Sequence, residues 1–370
     1  MKSLFFTFAA LFMAALANAQ VTQDYSVYDI AASSDYLYLA TTKGVVRVAK
    51  GVVDESQKQV VLALPEAENV SYFQSVAVDA STIWAIDNTF QIWTRSLDSE
   101  GGFESYSHIS AKRQPRFVRT DSQGNVWVIG VDVQRVNLFS VLETYSYNPF
   151  SSICHPSDVV FDSSGRDFWF CGTYTGSGAY HYNSATNEVE TLPIGIGHAY
   201  GIAPDSKGHV WVAPNATYLQ EIVGNEVTNY TSDNSNSPNT KWFKIGVDAE
   251  DRLWLETNPK TSLYQFDGNR FDAYPAEVPT IMRFLLNDGI LYAGTDAGLY
   301  VIVDGKVISY SDYILDMKNT TAAESIHFEG FDAGNSESIR YNLQGMQMDE
   351  HYRGLILTKD GKKWKKTRIF

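Results

Sequence analysis

The chain has 370 residues, of which 44% are hydrophobic and 14% aromatic, so it is long and apolar enough to bury a large core. Acidic residues outnumber Lys and Arg by 43 to 29, and the net charge of −14 argues against nucleic acid or an anionic membrane surface as a partner. The excess is uneven, because residues 331–370 carry eight basic and five acidic side chains and are net positive.

The first nineteen residues have the layout of an export signal. Lys2 gives a basic start, an apolar run follows over residues 4–17, and Ala17 to Ala19 supply small residues for cleavage. No later segment reaches the roughly 18 apolar residues that a membrane span needs. The sequence therefore predicts an exported protein without a transmembrane span, located outside the cell or at the outer-membrane surface, with the periplasm as the alternative.

One pattern recurs along the body of the chain. An extended hydrophobic stretch leads into Asp and a Gly-type turn, and a strand centred on Trp or Tyr follows; clear copies begin at Phe117, Val159, Gly201 and Ile245. The central aromatic residues are 38 to 46 positions apart: Tyr38, Trp84, Trp127, Trp169, Trp211, Trp254 and Tyr292. This period, with one Trp-bearing strand in each unit, is typical of a β-propeller blade.

Each unit contains four short strand-like runs separated by Asp, Gly, Asn and Ser. Seven units between about Tyr25 and Tyr313 predict an all-β fold, namely a seven-bladed β-propeller of four-stranded antiparallel blades with a short C-terminal β tail. The first run of each unit is expected innermost, so every blade is continuous chain. The ring would close by packing, with a strand around Val21–Tyr28. The predicted domains are a signal peptide at 1–19, the propeller at 20–313, a linker at 314–330 and the tail at 331–370.

The two cysteines, Cys154 and Cys171, both lie in the fourth unit. Export makes a disulfide chemically allowed. Regular pairing of the hairpin at Asp162 to Asp167 sets residue 171 opposite about residue 158, so the loop must fold back for a bond to form. A disulfide and two buried thiols therefore remain as alternatives.

Propeller ligands usually bind at one mouth of the central channel, where loops leading into the inner strands meet loops that follow the second strands. The predicted ligand-binding rim comprises Tyr72, Gln74, Arg113, Arg116, His155, Tyr174, His198, Tyr200, Lys241, Trp242 and Arg283. Loops after the second strands add Lys43, Asp87, Arg135, Asn215 and Lys260. Aromatic rings and multidentate donors suit a sugar, and cations suit a carboxylate such as a uronic acid. The structural alternative is that these cations cap loops or pair with local acids, while Trp242 and Tyr200 pack between blades.

Catalytic and metal-binding patterns are weaker. The sequence has no HExxH, no cysteine pair at ligand spacing, no EF-hand loop and no P-loop. His155 and His198 hold equivalent positions in adjacent units, and with Asp158 they could hold a metal or act as acid and base. With Tyr200 and Arg116 they form the candidate catalytic set. No cofactor is expected, with calcium as the alternative.

The turn aspartates are expected on the face opposite the rim, as turn formers rather than catalytic carboxylates. They are Asp79, Asp121, Asp162, Asp205 and Asp248.

The repeats resemble two groups of known propellers. Asp121, Gly124, Asn125 and Trp127, and the stretch from Tyr292 to Tyr300, match the two-component regulator propeller repeats of Bacteroidetes-type hybrid sensors. The units are also similar to virginiamycin B lyase-like propellers. The resemblance covers roughly residues 27–313 and implies the fold. The sensors' further propellers, membrane span and kinase have no counterpart in this sequence, and the lyases' His/Glu set and metal do not map onto matching positions.

The C-terminal forty residues resemble the sorting tails of type IX (Por) secretion cargo. The resemblance rests on Ile339 to Met348 and on Arg353 to Lys363, and it implies the secretion machinery as a partner. Met346 and Met348 depart from the usual residues, and the end is more basic. From the residues alone, the tail is a short β-hairpin with a strand at 354–358 and a tight turn at 359–363. The alternative is an eighth partial blade or an outer strand on the propeller.

These observations favour a secreted or cell-surface propeller that binds a glycan or a surface protein through its basic and aromatic rim. One alternative is a propeller polysaccharide lyase or hydrolase that uses His155 and His198 with Tyr200 or Arg116. Another is a structural component of an outer-membrane assembly. A lyase needs a base and a cation converging on one substrate atom, so the separation of His155, His198 and Asp158 distinguishes a lyase from a binder.

Overall fold

The computed structural model describes residues 25–50, 59–146, 155–162, 164–173, 178–194, 197–258 and 262–314, with the backbone of 340–341, 354–360 and 363–369. The chain divides into two compact units at Tyr313 and Ile314. The predicted signal peptide, the linker beyond Ile314, and Cys154, Tyr174 and Lys260 lie outside the described residues. Within the described part, no helix is long and apolar enough to cross a membrane.

The first unit consists of seven four-stranded antiparallel sheets, each built from four consecutive strands. Blade 1 holds β1 (Val27–Ala32), β2 (Tyr36–Thr41), β3 (Gly44–Ala49) and β4 (Gln59–Ala63). Blade 2 holds β5 (Phe73–Val78), β6 (Thr82–Asp87), β7 (Ile92–Ser96) and β8 (Glu104–Tyr106). Blade 3 holds β9 (Phe117–Thr120), β10 (Val126–Ile129), β11 (Val133–Asn137) and β12 (Ser140–Tyr145). Blade 4 holds β13 (Pro156–Phe161), β14 (Phe168–Gly172), β15 (Ala179–Asn183) and β16 (Glu188–Thr191).

Blade 5 holds β17 (Ala199–Pro204), β18 (Val210–Pro214), β19 (Leu219–Val223) and β20 (Glu226–Tyr230). Blade 6 holds β21 (Lys241–Val247), β22 (Leu253–Asn258), β23 (Leu263–Phe266) and β24 (Phe271–Ala273). Blade 7 holds β25 (Ile281–Asn287), β26 (Ile290–Thr295), β27 (Gly298–Val303) and β28 (Lys306–Ser309). A 3-10 turn at Ala111–Arg113 and a one-turn helix at Ser232–Ser235 lie between blades. The prediction of seven four-stranded antiparallel blades is confirmed.

The ring closes by packing of blade 1 against blade 7, as the sequence predicted. Inner strand β1 contacts β25 and β26, and a Cβ on Gly294 would lie only 2.8 Å from Cγ1 of Val27. The Tyr310 hydroxyl donates to the Ala49 carbonyl at 3.0 Å, and Lys50 Nζ lies 2.9 Å from a carboxylate oxygen of Asp288. β1 begins at Val27 and is the inner strand of blade 1, so the described part of the expected closing strand belongs to that blade.

The aromatic anchors lie on the second strands, and turn aspartates hydrogen-bond the indoles of four of them. Asp79, Asp121, Asp205 and Asp248 each accept a hydrogen bond from the indole Nε1–H of the following anchor, at 2.8, 2.9, 3.2 and 2.9 Å. The other carboxylate oxygen accepts backbone N–H groups of the turn, as Asp121 does from Gln123 and Asn125. Each of these aspartates therefore shapes its turn and also satisfies a buried indole.

The apolar core lies between adjacent blades, because most clusters of buried side chains draw on two consecutive sheets. Trp127 of blade 3 packs on Phe168 and Tyr182 of blade 4, with ring centroids 5.4 and 4.6 Å apart. Trp211 of blade 5 meets Phe266 of blade 6 edge to face at 5.7 Å. A single blade could not bury these rings, so the blades depend on one another for stability.

Six of the seven inner strands carry a β-bulge near their first residue. The bulged residues are Tyr28, Gln74, Ser157, Tyr200, Phe243 and Met282. Each is half-buried, whereas the residues on both sides of it are buried. In blade 3 the pairing is regular, and Arg116, which directly precedes β9, occupies the equivalent place. Bulges redirect side chains, and here they supply the solvent-reaching residues of otherwise buried strands.

The second unit contains a three-stranded antiparallel sheet formed by β29 (Arg340–Tyr341), β30 (Gly354–Asp360) and β31 (Lys363–Ile369). The predicted strand at 354–358 lies within β30. Residues 361–362, in the predicted tight turn, lie outside the described residues.

We expect the Asp248→Ala substitution to lower the free energy of unfolding by about 2–4 kcal/mol. It leaves the buried Trp254 indole without its acceptor and removes the 2.8 Å ion pair with Arg252. Denaturant unfolding measures the loss. The matched control is Asp272→Ala, because Asp272 and its partner Arg270 are both exposed, and a loss below about 1 kcal/mol is expected there. Equal losses in the two variants would contradict the structural role of the hydrogen bond between Asp248 and Trp254.

Candidate functional site

The seven inner strands run in the same direction around the axis, so their first residues meet at one mouth of the channel. The half-buried residues at this level are Tyr28, Gln74, Arg116, Ser157, Tyr200, Phe243 and Met282, and we call them the mouth ring. Every one of the seven blades contributes one member. Three aromatic residues, a methionine, an arginine and two uncharged polar residues form a surface of the kind enriched at binding interfaces.

Aromatic rings cluster in two places at the mouth. Tyr28 of blade 1 stacks on Tyr72 of blade 2, with ring centroids 4.4 Å apart and planes 23° from parallel. Tyr200 of blade 5 lies 5.9 Å from Phe243 of blade 6. Between blades 2 and 3, Gln74 Nε2 donates to the Pro115 carbonyl at 3.3 Å. The rings and amides are thus held in place by neighbouring blades.

Arg116 of blade 3 and His155, which directly precedes the inner strand of blade 4, are in contact. A guanidinium nitrogen of Arg116 hydrogen-bonds Nδ1 of His155, and the guanidinium lies over the Phe90 ring at 5.1 Å. Since Arg can only donate, Nδ1 of His155 is the acceptor. Burial lowers the pKa of His155, and the positive charge of Arg116 lowers it further. The imidazole is therefore neutral near pH 7, next to a permanent cation.

Asn215 links three other residues predicted for the rim. Its Oδ1 accepts a hydrogen bond from Lys241 Nζ at 2.6 Å and one from the Tyr200 hydroxyl at 3.3 Å. Its backbone N–H donates to the carbonyl of His198 at 3.0 Å. Lys241, Tyr200 and Asn215 therefore form one polar group on blades 5 and 6, and the backbone of His198 is bound to it.

A buried ion-pair network lies on the axis directly behind the mouth ring. Arg119 of blade 3 makes a bidentate pair with Asp29 of blade 1, at 2.6 and 3.0 Å. Ser75 Oγ of blade 2 donates to the same carboxylate at 2.7 Å. Arg283 of blade 7 reaches Asp158 of blade 4 and also lies 3.4 Å from Asp29. We call these five residues the axial network.

The buried side chains of the axial network lie across the axis of the propeller. Asp29 and Arg283 are 0% and 5% exposed, and the side chains cross the ring from one blade to a distant one. Lys244 Nζ of blade 6 crosses in the same way to the Ser157 carbonyl of blade 4 at 2.9 Å. Burial lowers the pKa of Arg119, and the adjacent Asp29 acts in the opposite direction. A ligand at this mouth would therefore contact the mouth ring rather than thread the propeller.

Trp242 and Arg283, both predicted for the rim, are buried in the structure, and their assignment to it is wrong. Trp242 is 0% exposed and stacks on Phe271 within the core, with centroids 5.0 Å apart and planes 13° from parallel. It directly precedes a bulge, so its side chain faces the packing between blades while Phe243 reaches solvent. Arg283 directly follows a bulge, and its guanidinium pairs with Asp158 in the axial network.

The proposed grouping of Asp158 with two histidines is also wrong, because Asp158 is buried against Arg283. Among the residues that the structure describes, no group of three or more His, Cys, Asp or Glu side chains could hold a metal ion. His155 contacts Arg116, whereas His198 is positioned through its backbone next to Asn215.

The remaining rim residues have local partners. Arg113 is exposed and pairs with Asp132, Asp87 is buried and accepts from the Trp93 indole at 2.7 Å, and Lys43 lies over the Tyr25 ring. Arg135 pairs with Glu143 and contacts Asn125 of the Asp121 turn, so it lies toward the opposite face and its assignment to the rim is wrong. Cys171 is buried, with Ser157 Oγ 3.3 Å from its sulfur, and the disulfide with Cys154 stays a prediction.

Sequence reasoning missed Tyr28, Phe90, Phe243 and Met282. Each lies in or beside a predicted strand or loop. If side chains alternated strictly between the two faces of each inner strand, a neighbouring residue would face the solvent in place of the bulged one. The sequence did contain a signal for the true orientation, namely a charged residue such as Asp29 or Lys244 inside an apolar inner strand. Because a buried charge needs a partner across the axis, it indicates which side chains of that strand face the axis.

Comparisons with known proteins agree with the fold. No family model and no curated protein matches the chain. Virginiamycin B lyase from Staphylococcus aureus is similar in structure, with a TM-score of 0.59 and 14% identity over 75% of this chain and 94% of the lyase chain. The WD40 propeller domain of Doa1 has a TM-score of 0.55 and 13% identity over 78% of this chain and 94% of the domain. YCF48, solved with a D1 peptide, has a TM-score of 0.57 and 11% identity over 76% and 93%.

These likenesses establish a seven-bladed β-propeller with lyase-type and WD40-type structural neighbours, and at such low identity they establish the fold alone. Membership of the two-component regulator repeats and the sorting function of the tail stay predictions.

We expect Asp29→Asn to destabilise the propeller by about 3–5 kcal/mol, because it removes the charge that compensates two buried guanidiniums. Equilibrium unfolding in denaturant measures the effect. The control is Asp288→Asn, which removes a 64% exposed carboxylate from a surface pair and should cost less than about 1 kcal/mol. A loss below about 1 kcal/mol for Asp29→Asn would show that the axial network does not support the ring.

The His155 imidazole should titrate below the ordinary histidine pKa of about 6.5. Arg116→Gln should raise that pKa, because it removes the neighbouring positive charge, whereas Lys241→Gln on blade 6 should leave it unchanged. Proton NMR titration of the imidazole measures both. Since the folded state binds this proton less tightly than the unfolded state, the site's effect on stability becomes unfavourable as the pH falls below about 6.5. A pKa of His155 that is insensitive to Arg116→Gln would contradict the electrostatic coupling.

Proposed function

We propose that this protein is a ligand-binding propeller whose mouth ring and adjoining cations bind an anionic ligand, with an acidic glycan as the ligand class. The observation that carries the proposal is the axial network directly behind a half-buried aromatic and cationic mouth. The mouth above this network offers aromatic, cationic and uncharged polar side chains to a ligand.

The chemistry of the mouth suits a uronic acid. Arg116 and Lys241 can each bind a carboxylate, and a guanidinium can do so with two parallel hydrogen bonds. The pair Tyr28 and Tyr72 and the pair Tyr200 and Phe243 offer apolar faces against which sugar rings can pack. Amides at Gln74 and Asn215 add donors and acceptors for hydroxyl groups.

The contact of Arg116 with His155 favours a second candidate, a polysaccharide lyase. If Arg116 turned from His155 to bind a uronate carboxylate, Nδ1 of the neutral His155 would be free to remove the proton adjacent to that carboxylate. The glycosidic C–O bond would then break, and the departing oxygen would take a proton from water. We rank this candidate second, because Asp158 is engaged in the axial network and the described contacts do not bring the His198 ring to His155.

Protein recognition is the other source of an anionic ligand. A peptide with an acidic side chain beside an aromatic one would offer the same groups to the mouth as a uronate does. YCF48, a structural neighbour of this fold, was solved with a peptide. An acidic peptide therefore belongs in the same binding assay. Binding of such a peptide would also fit a docking component of an outer-membrane assembly.

We further propose that the protein is exported through residues 1–19 and that the C-terminal unit is a sorting tail read by a secretion machinery. The support is the sequence layout of both ends together with the small independent sheet of the second unit. Removing residues 331–370 should retain the propeller inside the cell envelope while leaving its melting temperature unchanged. Secretion of the truncated protein at the normal level would contradict this role of the tail.

An acidic oligosaccharide such as oligogalacturonate should raise the melting temperature of the protein, whereas a neutral oligosaccharide of equal length should not. Arg116→Gln should abolish the shift, because it removes the cation of the mouth ring. Arg270→Gln is the matched control, since Arg270 is an exposed arginine whose partner is Asp272. The measurement is thermal unfolding with and without calcium and at low and high salt.

Ultraviolet absorbance of an unsaturated uronate product separates a lyase from a binder in the same samples. An equal shift with neutral sugars, or a shift retained in Arg116→Gln, would contradict the proposed anionic site. A shift with the acidic peptide alone would assign the mouth to protein recognition.

A further inference from the structure

A second cleft opens on the opposite end of the propeller, between blades 3 and 4. Its walls come from the turn that joins β9 to β10, from β11 and β12, and from blade 4 residues Arg166, Tyr182, Ser184 and Asn187. A hydrogen bond from Ser122 N–H to the Gly165 carbonyl, at 2.8 Å, links the two blades beside the cleft. The cavity has a volume of about 180 Å³. Nothing in the proposed function uses it.

The cleft is lined by ten residues, eight of them polar or charged and the other two, Trp127 and Tyr182, aromatic with a polar atom. Arg135 donates to Glu143 at 2.6 Å and to Asn125 Oδ1 at 3.3 Å. Asp121 accepts from the amide of Asn125 at 2.8 Å and from the Trp127 indole at 2.9 Å. These cross-links fix the lining groups in place before any ligand arrives, which reduces the entropy lost on binding.

Blade 4 completes the same hydrogen-bond system. Oδ1 of Asn187 accepts from the hydroxyl of Tyr182 at 2.6 Å and lies 2.8 Å from the hydroxyl oxygen of Tyr145 on blade 3. Tyr145 donates its hydroxyl proton to the carboxylate of Glu143, which lies on the same strand, β12 of blade 3. The hydrogen bond from Tyr145 lowers the pKa of Glu143, with Arg135 acting in the same direction against the effect of burial. Glu143 is therefore a fixed acceptor at neutral pH.

One donor in this cleft has no partner. The Nε atom of Arg135 is buried and, among the described residues, makes no hydrogen bond. A buried unsatisfied donor costs stability, but this atom has almost no accessible surface, so the donors open to a ligand are those of the exposed side chains. Gln123 and Arg166 are exposed at the wall of the same cleft and present further donors to it.

The charge balance decides what kind of ligand fits. Two carboxylates, Asp121 and Glu143, face two guanidiniums, Arg135 and Arg166, so neither a cation nor an anion is favoured. Dense fixed donors and acceptors without net charge suit an uncharged ligand with many hydroxyl groups. The volume is below the roughly 300–1,000 Å³ of pockets for drug-sized ligands, which points to one ring rather than an oligomer. We propose that this cleft between blades 3 and 4 binds a single neutral sugar unit, as a site separate from the mouth.

The indole N–H of Trp127 is the natural reporter, because it is bonded to Asp121 in the cleft lining. The experiment titrates the full-length, ¹⁵N-labelled protein with glucose, galactose, mannose, N-acetylglucosamine and glucuronate. Trp127→Phe assigns the reporter signal. We expect at least one neutral sugar to move the Trp127 signal saturably, and glucuronate to bind more weakly there.

The test variant is the Gln123→Ala, Arg166→Ala double substitution, which changes two exposed residues and should leave the melting temperature unchanged. It should weaken the neutral sugar by about fivefold or more, as expected for losing hydrogen bonds to the ligand. If the double variant is unstable, Gln123→Ala alone takes its place with the same expectation. Arg116→Gln, at the mouth, should leave the Trp127 titration unchanged.

Three results would overturn the proposal: no saturable shift of Trp127 with any neutral sugar, a shift that the double variant leaves intact, or tighter binding of glucuronate than of every neutral sugar. A neutral sugar that moves the His155 signal, and not that of Trp127, would place binding at the mouth and also overturn it. Because Arg116→Gln tests the mouth alone, failure of the anionic site and failure of this cleft are distinguishable.

Discussion

The ion pairs on the axis determine how much of the channel a ligand can reach. Arg119 and Arg283 extend from blades 3 and 7 to carboxylates on blades 1 and 4, so the charges are compensated by residues far apart in the sequence. Breaking one pair leaves a buried charge uncompensated, which costs far more than the pair itself contributes. The blades are therefore held to a single arrangement around the axis, and the surface available for recognition lies at the two ends.

The two ends of the propeller differ because their turns are built differently. At one end, turn aspartates such as Asp121 and Asp248 bind the backbone and the following indole, which makes compact and rigid turns. At the other end, bulges turn single residues such as Tyr200 and Phe243 toward solvent while their neighbours stay buried. Rigid turns with many fixed polar groups suit a small polar ligand, whereas a ring of aromatic and cationic side chains suits a larger amphipathic one.

The sequence was sufficient for the fold and only partly sufficient for the site. The spacing of the aromatic anchors predicts seven blades because each anchor fills the gap between two sheets, and that requirement recurs with every unit. The mouth depends instead on strand register, and one extra residue in a strand changes which side chain reaches solvent. Trp242 and Arg283 were placed at the rim because they precede or begin inner strands, yet they flank bulges and are buried. The pairing of Arg116 with His155 could be anticipated, since both directly precede inner strands of adjacent blades.

Blade 3 shows how one local irregularity shapes both ends of the molecule. Its inner strand has no bulge. Arg119 pairs with the anchor Trp127, and this level lies two residues further along the inner strand than that of the polar residue of blade 2, since there the anchor Trp84 pairs with Ala77 and Ser75 pairs with Ile86. From that level its guanidinium reaches Asp29, and Arg116 takes the place that a bulged residue occupies elsewhere. On the same face of the sheet, Arg135 and Glu143 stand in register with Trp127 and face blade 4. The regular pairing of β9 thus places one cation at the mouth and a second on the axis, while the pairing of β11 with β10 places Arg135 in the cleft.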